Sequence, residues 1–214
     1  MKVLVVGANG QVGKKLVKML VEDQTHEARA MVRKEEQAGY FKELGAETVI
    51  ANLEDTPDAI AKAAEGCEAI VFSAGAGGKG YDKTLLIDLD GAVKTMEAAK
   101  KAGIDRFVMV SALQADNREN WNKEIMPYYA AKYYADRVLK ESGLTYTIIR
   151  PGALLNEPGT GKVKAASNLE RGSIPREDVA AAIFAALQEE KVYNRAFDIV
   201  QGDSSIEDAL HNLD

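Results

Sequence analysis

The feature that most constrains this chain is a repeated alternation, in which short apolar runs rich in β-branched residues are each followed by a longer amphipathic stretch. That rhythm belongs to strand–helix–strand units, in which helices cross over between parallel strands. The runs predict strands over 2–6, 27–32, 47–51, 68–73, 106–111, 145–149 and 196–200. The amphipathic stretches predict helices over 11–23, 34–44, 57–65, 82–102, 127–142, 176–190 and 205–212. Ala69-Ile70-Val71-Phe72 and Phe107-Val108-Met109-Val110 are apolar at successive positions, which suits strands covered by helices on both faces. The expectation is an α/β chain with a doubly wound, mostly parallel sheet. Pro57 and Pro127 suit first helical turns, Gly45, Gly66, Gly103 and Gly143 suit helix ends, and Ser205 to Asp208 reads as a helix start. From Gly152 to Ile174 Gly, Pro, Asn and Ser are scattered, and a mobile loop on the substrate side is expected.

With 214 residues, 46% of them apolar, the chain closes one sizeable core rather than two, so one domain is expected. Lys plus Arg total 27 against 33 Asp plus Glu, a net charge of −6, which argues against nucleic acid held by bulk charge. A single cysteine, Cys67, excludes an internal disulfide and reads as a small buried residue. His26 and His211 lie far apart without ligand-spaced neighbours, so no metal site is expected and both read as solvated. Met1 to Val6 is too short for a signal peptide, and no run of apolar residues is long enough to cross a membrane. A soluble, cytoplasmic protein is expected, as a monomer or a homodimer.

The first strand runs directly into Gly7-Ala8-Asn9-Gly10-Gln11-Val12-Gly13, which opens an amphipathic helix. Strand, glycine turn and helix stand in the order that a dinucleotide-binding loop requires. Gly7 permits the tight turn, Gly10 lets backbone approach a pyrophosphate, and Gly13 lets the helix pack on the strand, with Asn9, Gln11 and Val12 completing the loop. The bland alternative is a tight strand–helix turn and nothing more. After the second strand, Arg33 and Lys34 stand where an NAD-type site carries a carboxylate. Arg33 can donate bidentately to a 2′-phosphate, which favours NADP; otherwise it is a solvated arginine neutralised by Glu35 and Glu36. Asn52 and Leu53 after the third strand would border the adenine, and Ser73, Ala74 and Gly75 after the fourth would bring bare backbone near the cofactor.

Ser111 ends the fifth strand, while Tyr128 and Lys132 share one face of a helix. An ammonium one turn from a phenol, beside a positively charged nicotinamide, would favour phenolate. Tyr128 would then exchange a proton with a carbonyl or hydroxyl oxygen, Ser111 would hydrogen-bond that oxygen, and Lys132 would also reach the nicotinamide ribose. The alternative is a tyrosine-crowded helix surface, since Tyr128, Tyr129, Tyr133 and Tyr134 all lie there. No histidine neighbours a candidate nucleophile, and the glycine loop lacks the Lys-Ser/Thr ending of a nucleoside-triphosphate loop, so hydrolase and NTPase classes drop out.

These motifs, with Tyr146 to Gly152 and Ser173 to Ala180, resemble the atypical branch of the short-chain dehydrogenase/reductase superfamily, especially small NAD(P)-binding, sugar-epimerase-like proteins related to biliverdin and flavin reductases. The resemblance spans almost the whole chain. It implies a Rossmann-type fold with NADP at the C-terminal edge of the sheet, Pro151, Gly152 and Ala153 beside the nicotinamide, and Arg176 and Asp178 anchoring the final helix, although an ion-paired helix start is the better reading of that pair. The chain ends at Asp214, too early for the C-terminal substrate domain of extended sugar epimerases, which argues against a nucleotide-sugar substrate. The expected function is NADP-dependent, oxidoreductase or epimerase-like hydride transfer to a small carbonyl, hydroxyl or flavin-like substrate. Two alternatives stay open: a non-catalytic NADP-binding redox-sensing or regulatory module, and a flavin or tetrapyrrole reductase without a tyrosine acid.

Overall fold

The computed structural model describes residues 1–213. In chain order it holds β1 (Lys2–Val6), α1 (Gln11–Glu22), β2 (Glu27–Val32), α2 (Ala38–Glu43), β3 (Glu47–Ile50), α3 (Pro57–Ala64), β4 (Ala69–Phe72) and α4 (Tyr81–Lys83). A π-helical segment (Thr84–Asp90) then leads into α5 (Gly91–Lys101), β5 (Arg106–Val110), α6 (Met126–Glu141), β6 (Thr145–Pro151), β7 (Ala153–Leu155), β8 (Lys162–Ala166) and β9 (Ser173–Pro175). The chain closes with α7 (Arg176–Ala186), β10 (Arg195–Gln201), β11 (Ser204–Ser205) and α8 (Ile206–His211).

Nine strands form one sheet in the order β11-β8-β10-β6-β5-β4-β1-β2-β3. From β10 to β3 every pairing is parallel, and β8 and β11 add antiparallel pairings at one edge. The order reverses between β1 and β4, and at such a switch point the carboxyl ends of the strands open a crevice for ligands. This is a Rossmann-like α/β fold, as the alternating sequence pattern predicts.

Side chains of β1 alternate between two cores. Val3 and Val5 pack with Leu16 and Leu20 of α1 and Val179 and Ile183 of α7, whereas Leu4 and Val6 pack with Ile60 of α3, Met96 of α5 and Leu139 of α6. Val3 to Val6 are all fully buried, each contributing about 1.5–3 kcal/mol of apolar burial. Such two-sided burial holds the glycine loop after β1 on a rigid base. A second anchor is polar: the buried Arg106 guanidinium donates to the carbonyls of Ala186 and Leu187 at the end of α7, to Thr145 O and to Thr147 Oγ1, and stacks 4.2 Å from the Tyr193 ring centroid. Burial pulls its pKa down to about 10.

Three expectations are corrected. The stretch 152–174 contains strands: β7 pairs with β9, and β8 pairs with both β10 and β11, so three of its segments are tied into sheet ladders despite the Gly and Pro content. The single helix expected over 82–102 is interrupted by the π-helical segment, which follows α4, itself begun after Gly80 at φ +109°. His26 is buried rather than solvated, with Nδ1 on the Asp23 carboxylate and its ring 5.2 Å from that of Phe184.

Candidate active site

The expected binding and catalytic residues converge on one edge of the sheet, because parallel strands bring all their carboxyl ends together. Gly7 to Gly13 follow β1, Arg33 and Lys34 follow β2, Asn52 and Leu53 follow β3, Ser73 to Gly75 follow β4, Ser111 follows β5, and Pro151 ends β6. Gly7 has φ +90°, and a Cβ there would lie 2.5 Å from Ala74 N, so the two glycine loops touch backbone to backbone. A Cβ on Gly13 would lie 2.8 Å from Ala8 Cα, which explains why α1 needs glycine to pack on the loop. Gly10 caps α1 without a side-chain hydrogen bond, and the first turn holds no acidic residue. A Cβ-free cradle facing an uncapped helix N-terminus fits a pyrophosphate, whose charge the amides and dipole would stabilise.

Around the cradle, Asn9, Gly10 and Gln11 are exposed while Val12 is buried. Arg33 and Lys34 are exposed, and the alternative in which Glu35 and Glu36 neutralise Arg33 is not seen among the described residues, where Glu35 pairs with Lys42 at 2.8 Å. Asn52 accepts from Glu54 N, while Leu53 turns into the core against Gly91. Ser73 Oγ donates to Val6 O at 3.2 Å. Gly152 donates to Ile199 O, and a Cβ there would lie 2.8 Å from Gly172 C, so β6 runs on into a closely packed turn, with Ala153 exposed beyond it.

Lys132 is 3% exposed and donates to Val110 O at 3.2 Å, with its Nζ 5.7 Å from the Tyr128 ring centroid. The structure adds a partner that the sequence reading missed. Asp88, 1% exposed in the π-helical segment, places Oδ1 3.3 Å from Lys132 Nζ and accepts from Ala76 N through Oδ2 at 2.9 Å. Lys132 draws Tyr128 toward phenolate, as expected, but burial pushes the phenol up by more, and Asp88, Tyr129 and Asp136 push with it, so in the cofactor-free protein the protonated phenol is favoured. Burial disfavours the Lys132 ammonium, while the charge that Tyr128 would carry on losing its proton and the Asp88 carboxylate hold it above its ordinary range.

Behind Ser111 lies an ion-pair chain that runs from buried Asp136 and Arg150 out to exposed Asp116, also missed. Arg150 Nε donates to Asp136 Oδ2 at 2.8 Å and Arg150 Nη1 to Asp116 Oδ2 at 2.6 Å, while burial raises the Asp136 carboxyl against the pull of Arg150. Asp198, beside Arg150 in the β10–β6 register, accepts from Gln114 N and Leu169 N, both at 3.0 Å. Gln114 has φ +54°, a strained conformation that Asp198 holds at the turn following Ser111. Among the described residues, five buried side-chain polar atoms lack a hydrogen-bond partner, and four of them cluster here: Asp88 Oδ1, Ser111 Oγ, Asp136 Oδ1 and Arg150 Nη2. Since buried polar atoms are ordinarily satisfied, this concentration singles the region out as the candidate site. A single signal in the sequence pointed to Asp136, which lies one helical turn beyond Lys132 on the same face.

The wall beyond β6 is fastened to the start of α7. Arg176 Nη1 donates to Leu154 O and Asn156 Oδ1, and Asp178 accepts from the Thr160 and Gly161 amides. Neither residue forms an ion pair among the described residues, so the ion-paired helix start is replaced by side chains that tie residues 154–161 to α7.

A family pattern described as NAD(P)H-binding matches residues 7–190. A Bacillus subtilis protein, "Uncharacterized sugar epimerase YhfK", is 61% identical over 214 residues, covering 100% of both chains. The solved structure of a putative NAD-dependent epimerase/dehydratase from Bacillus halodurans superposes with a TM-score of 0.94 at 42% identity, covering 100% of each chain. The oxidoreductase ylbE from Lactococcus lactis superposes with a TM-score of 0.91 at 34% identity, covering 98% of this chain and 95% of the other.

Proposed function

Because the chain belongs to the NAD(P)H-binding family, we propose that it is an NADPH-dependent reductase of a small carbonyl or flavin-like acceptor, with Tyr128 donating the proton. The observation that carries this reading is the group Tyr128, Lys132 and Asp88 beside Ser111, on the same sheet edge as the Gly7 to Gly13 cradle. Gly7, Gly10 and Gly13 would hold the pyrophosphate, Asn9, Gln11 and Val12 would complete that loop, and exposed Arg33 with Lys34 would receive a 2′-phosphate. Asn52 and Leu53 would border the adenine, and Ser73, Ala74, Gly75, Pro151, Gly152 and Ala153 would line the nicotinamide half. When bound, NADPH supplies the hydride. Tyr128 then gives its proton to the acceptor oxygen, Ser111 hydrogen-bonds that oxygen, and Lys132 holds the ribose and the phenol in register.

Single-turnover mixing of the NADPH-loaded protein with a panel of carbonyl and flavin acceptors tests the reading. At least one acceptor is expected to oxidise the cofactor, and Tyr128→Phe is expected to slow that step by about 10²–10⁴-fold with NADPH binding retained. Failure of every acceptor would overturn the reductase reading, and an unchanged rate in Tyr128→Phe would remove the tyrosine from it.

A further inference from the structure

Asp88 is buried on a helical segment whose π geometry is uncommon and frequent at functional sites. Its two oxygens face two different parts of the site. Oδ2 accepts from Ala76 N, and Oδ1 lies 3.3 Å from Lys132 Nζ and so close to Gly75 that a Cβ there would stand 3.0 Å away. One carboxylate thus joins the second glycine loop to the helix that carries Tyr128.

The charges around Tyr128 come from α6 and from three neighbouring segments. Lys132 and Asp136 lie on α6 itself, Asp88 reaches in from the π-helical segment, Arg150 from β6 pairs with Asp136, and Asp116 from the loop after β5 pairs with Arg150. Tyr129 is the neighbouring phenol, its ring centroid 6.0 Å from that of Tyr128. Two cations therefore face three carboxylates, and the lysine that would otherwise stabilise a phenolate is already neutralised.

We propose that Asp88 is a positioning residue that acts through Lys132: by neutralising that ammonium and anchoring the Gly75–Ala76 backbone, it commits the site to giving a proton rather than taking one. The inference rests on the reading of Tyr128 as the proton donor. In the reductive direction the new O–H bond forms as the Tyr128 O–H bond breaks. The oxygen electron pair comes from the carbonyl π bond once hydride has added to carbon, and the phenolate left behind is reprotonated by solvent. With Asp88 neutral, the uncompensated Lys132 charge would stabilise that phenolate before any substrate arrived, and the donor would be lost at lower pH.

The test is an alkaline titration of cofactor-free protein, followed by phenolate ultraviolet absorbance, with the Tyr128 component isolated by subtracting the same background carrying Tyr128→Phe. Asp88→Asn is expected to raise the Tyr128 phenolate fraction at a fixed pH on the rising limb by about tenfold, whereas Lys132→Gln is expected to lower it. A general loosening of the fold would move both variants the same way. Asp88→Ser, which also removes the charge, carries the same expectation should Asp88→Asn fail to fold. A Tyr128 component unmoved in a folded Asp88 variant, or moved in the same direction by the Lys132 variant, would overturn the proposal. Because no cofactor or acceptor is present, this failure is distinguishable from failure of the reductase reading, which shows only in the single-turnover experiment.

Discussion

Replacing Gly7 with alanine perturbs the fold and the cofactor cradle at one atom. Gly7 sits at φ +90°, where an L side chain is strained by about 1–2 kcal/mol. The added methyl would also stand 2.5 Å from Ala74 N and 2.7 Å from Ala74 Cα. That neighbour is backbone, pinned by the Ser73 N–H on Val6 O at 2.9 Å, so it has no rotamer through which to escape. Overpacking of this kind costs about 1–3 kcal/mol, giving a loss of about 2–5 kcal/mol in total. In a chain of this size that lowers Tm by about 4–20 °C. The loop must also shift away from the second glycine loop, so NADPH affinity is expected to fall at least about tenfold, equivalent to about 1.4 kcal/mol. The matched control is Gly39→Ala on α2, where a Cβ meets nothing within 4 Å and helix propensity predicts a gain of about 0.5–1 kcal/mol. Calorimetry and a fluorescence titration with NADPH read both effects. Wild-type Tm and affinity in Gly7→Ala would refute the argument that these loops are packed too closely for a side chain.

Two further perturbations probe the scaffold. Arg106→Met leaves the carbonyls that close α7 without their donor and removes the stack on Tyr193, so a loss of about 2–4 kcal/mol is expected in denaturant unfolding, and an unchanged midpoint would count against that anchor. For Asp198, burial raises the folded carboxyl above its ordinary 3.8, so the folded state holds the proton more tightly than the unfolded chain does. Its contribution to stability is complete below about pH 4 and declines as pH rises through the raised folded value, a slope that Asp198→Asn should remove from unfolding midpoints measured across the acid range. Persistence of the same slope in the variant would assign it to other groups.

The fold was legible because two-sided burial leaves an unmistakable mark: Ala69 to Phe72 and Phe107 to Val110 are apolar at every position, and such strands require helices on both faces. The glycine turn between β1 and α1 was legible because Gly7 and Gly13 are demanded by close backbone approach, which only glycine satisfies. The family suggested by these motifs is the one the comparisons return. The strands within 153–175 escaped notice because their pairing is decided by partners distant in sequence, β10 for β8 and β9 for β7, and not by local propensity. Asp88 escaped for a similar reason. Its spacing from Lys132 carries no periodicity, and only the π-helical turn brings the carboxylate to the ammonium. The direction of the Tyr128 shift is set first by burial, which outweighs the pull of Lys132, with Asp88 and Asp136 adding to it, and a pair of residues read from the sequence carries no record of that burial.

The account's central claim is that the sheet edge from Gly7 to Arg33 is an NADPH site. The most direct test is a paired fluorescence titration of purified protein, freed of retained nucleotide, with NADPH and NADH at one salt concentration, on wild type and Arg33→Ser. Charge-assisted hydrogen bonds to a 2′-phosphate are worth about 1.5–3 kcal/mol, so wild type should prefer NADPH by about 10–150-fold and Arg33→Ser should lose that preference while binding NADH as before. Equal affinity for the two nucleotides in wild type would contradict the role of Arg33, and binding of neither would contradict the site itself.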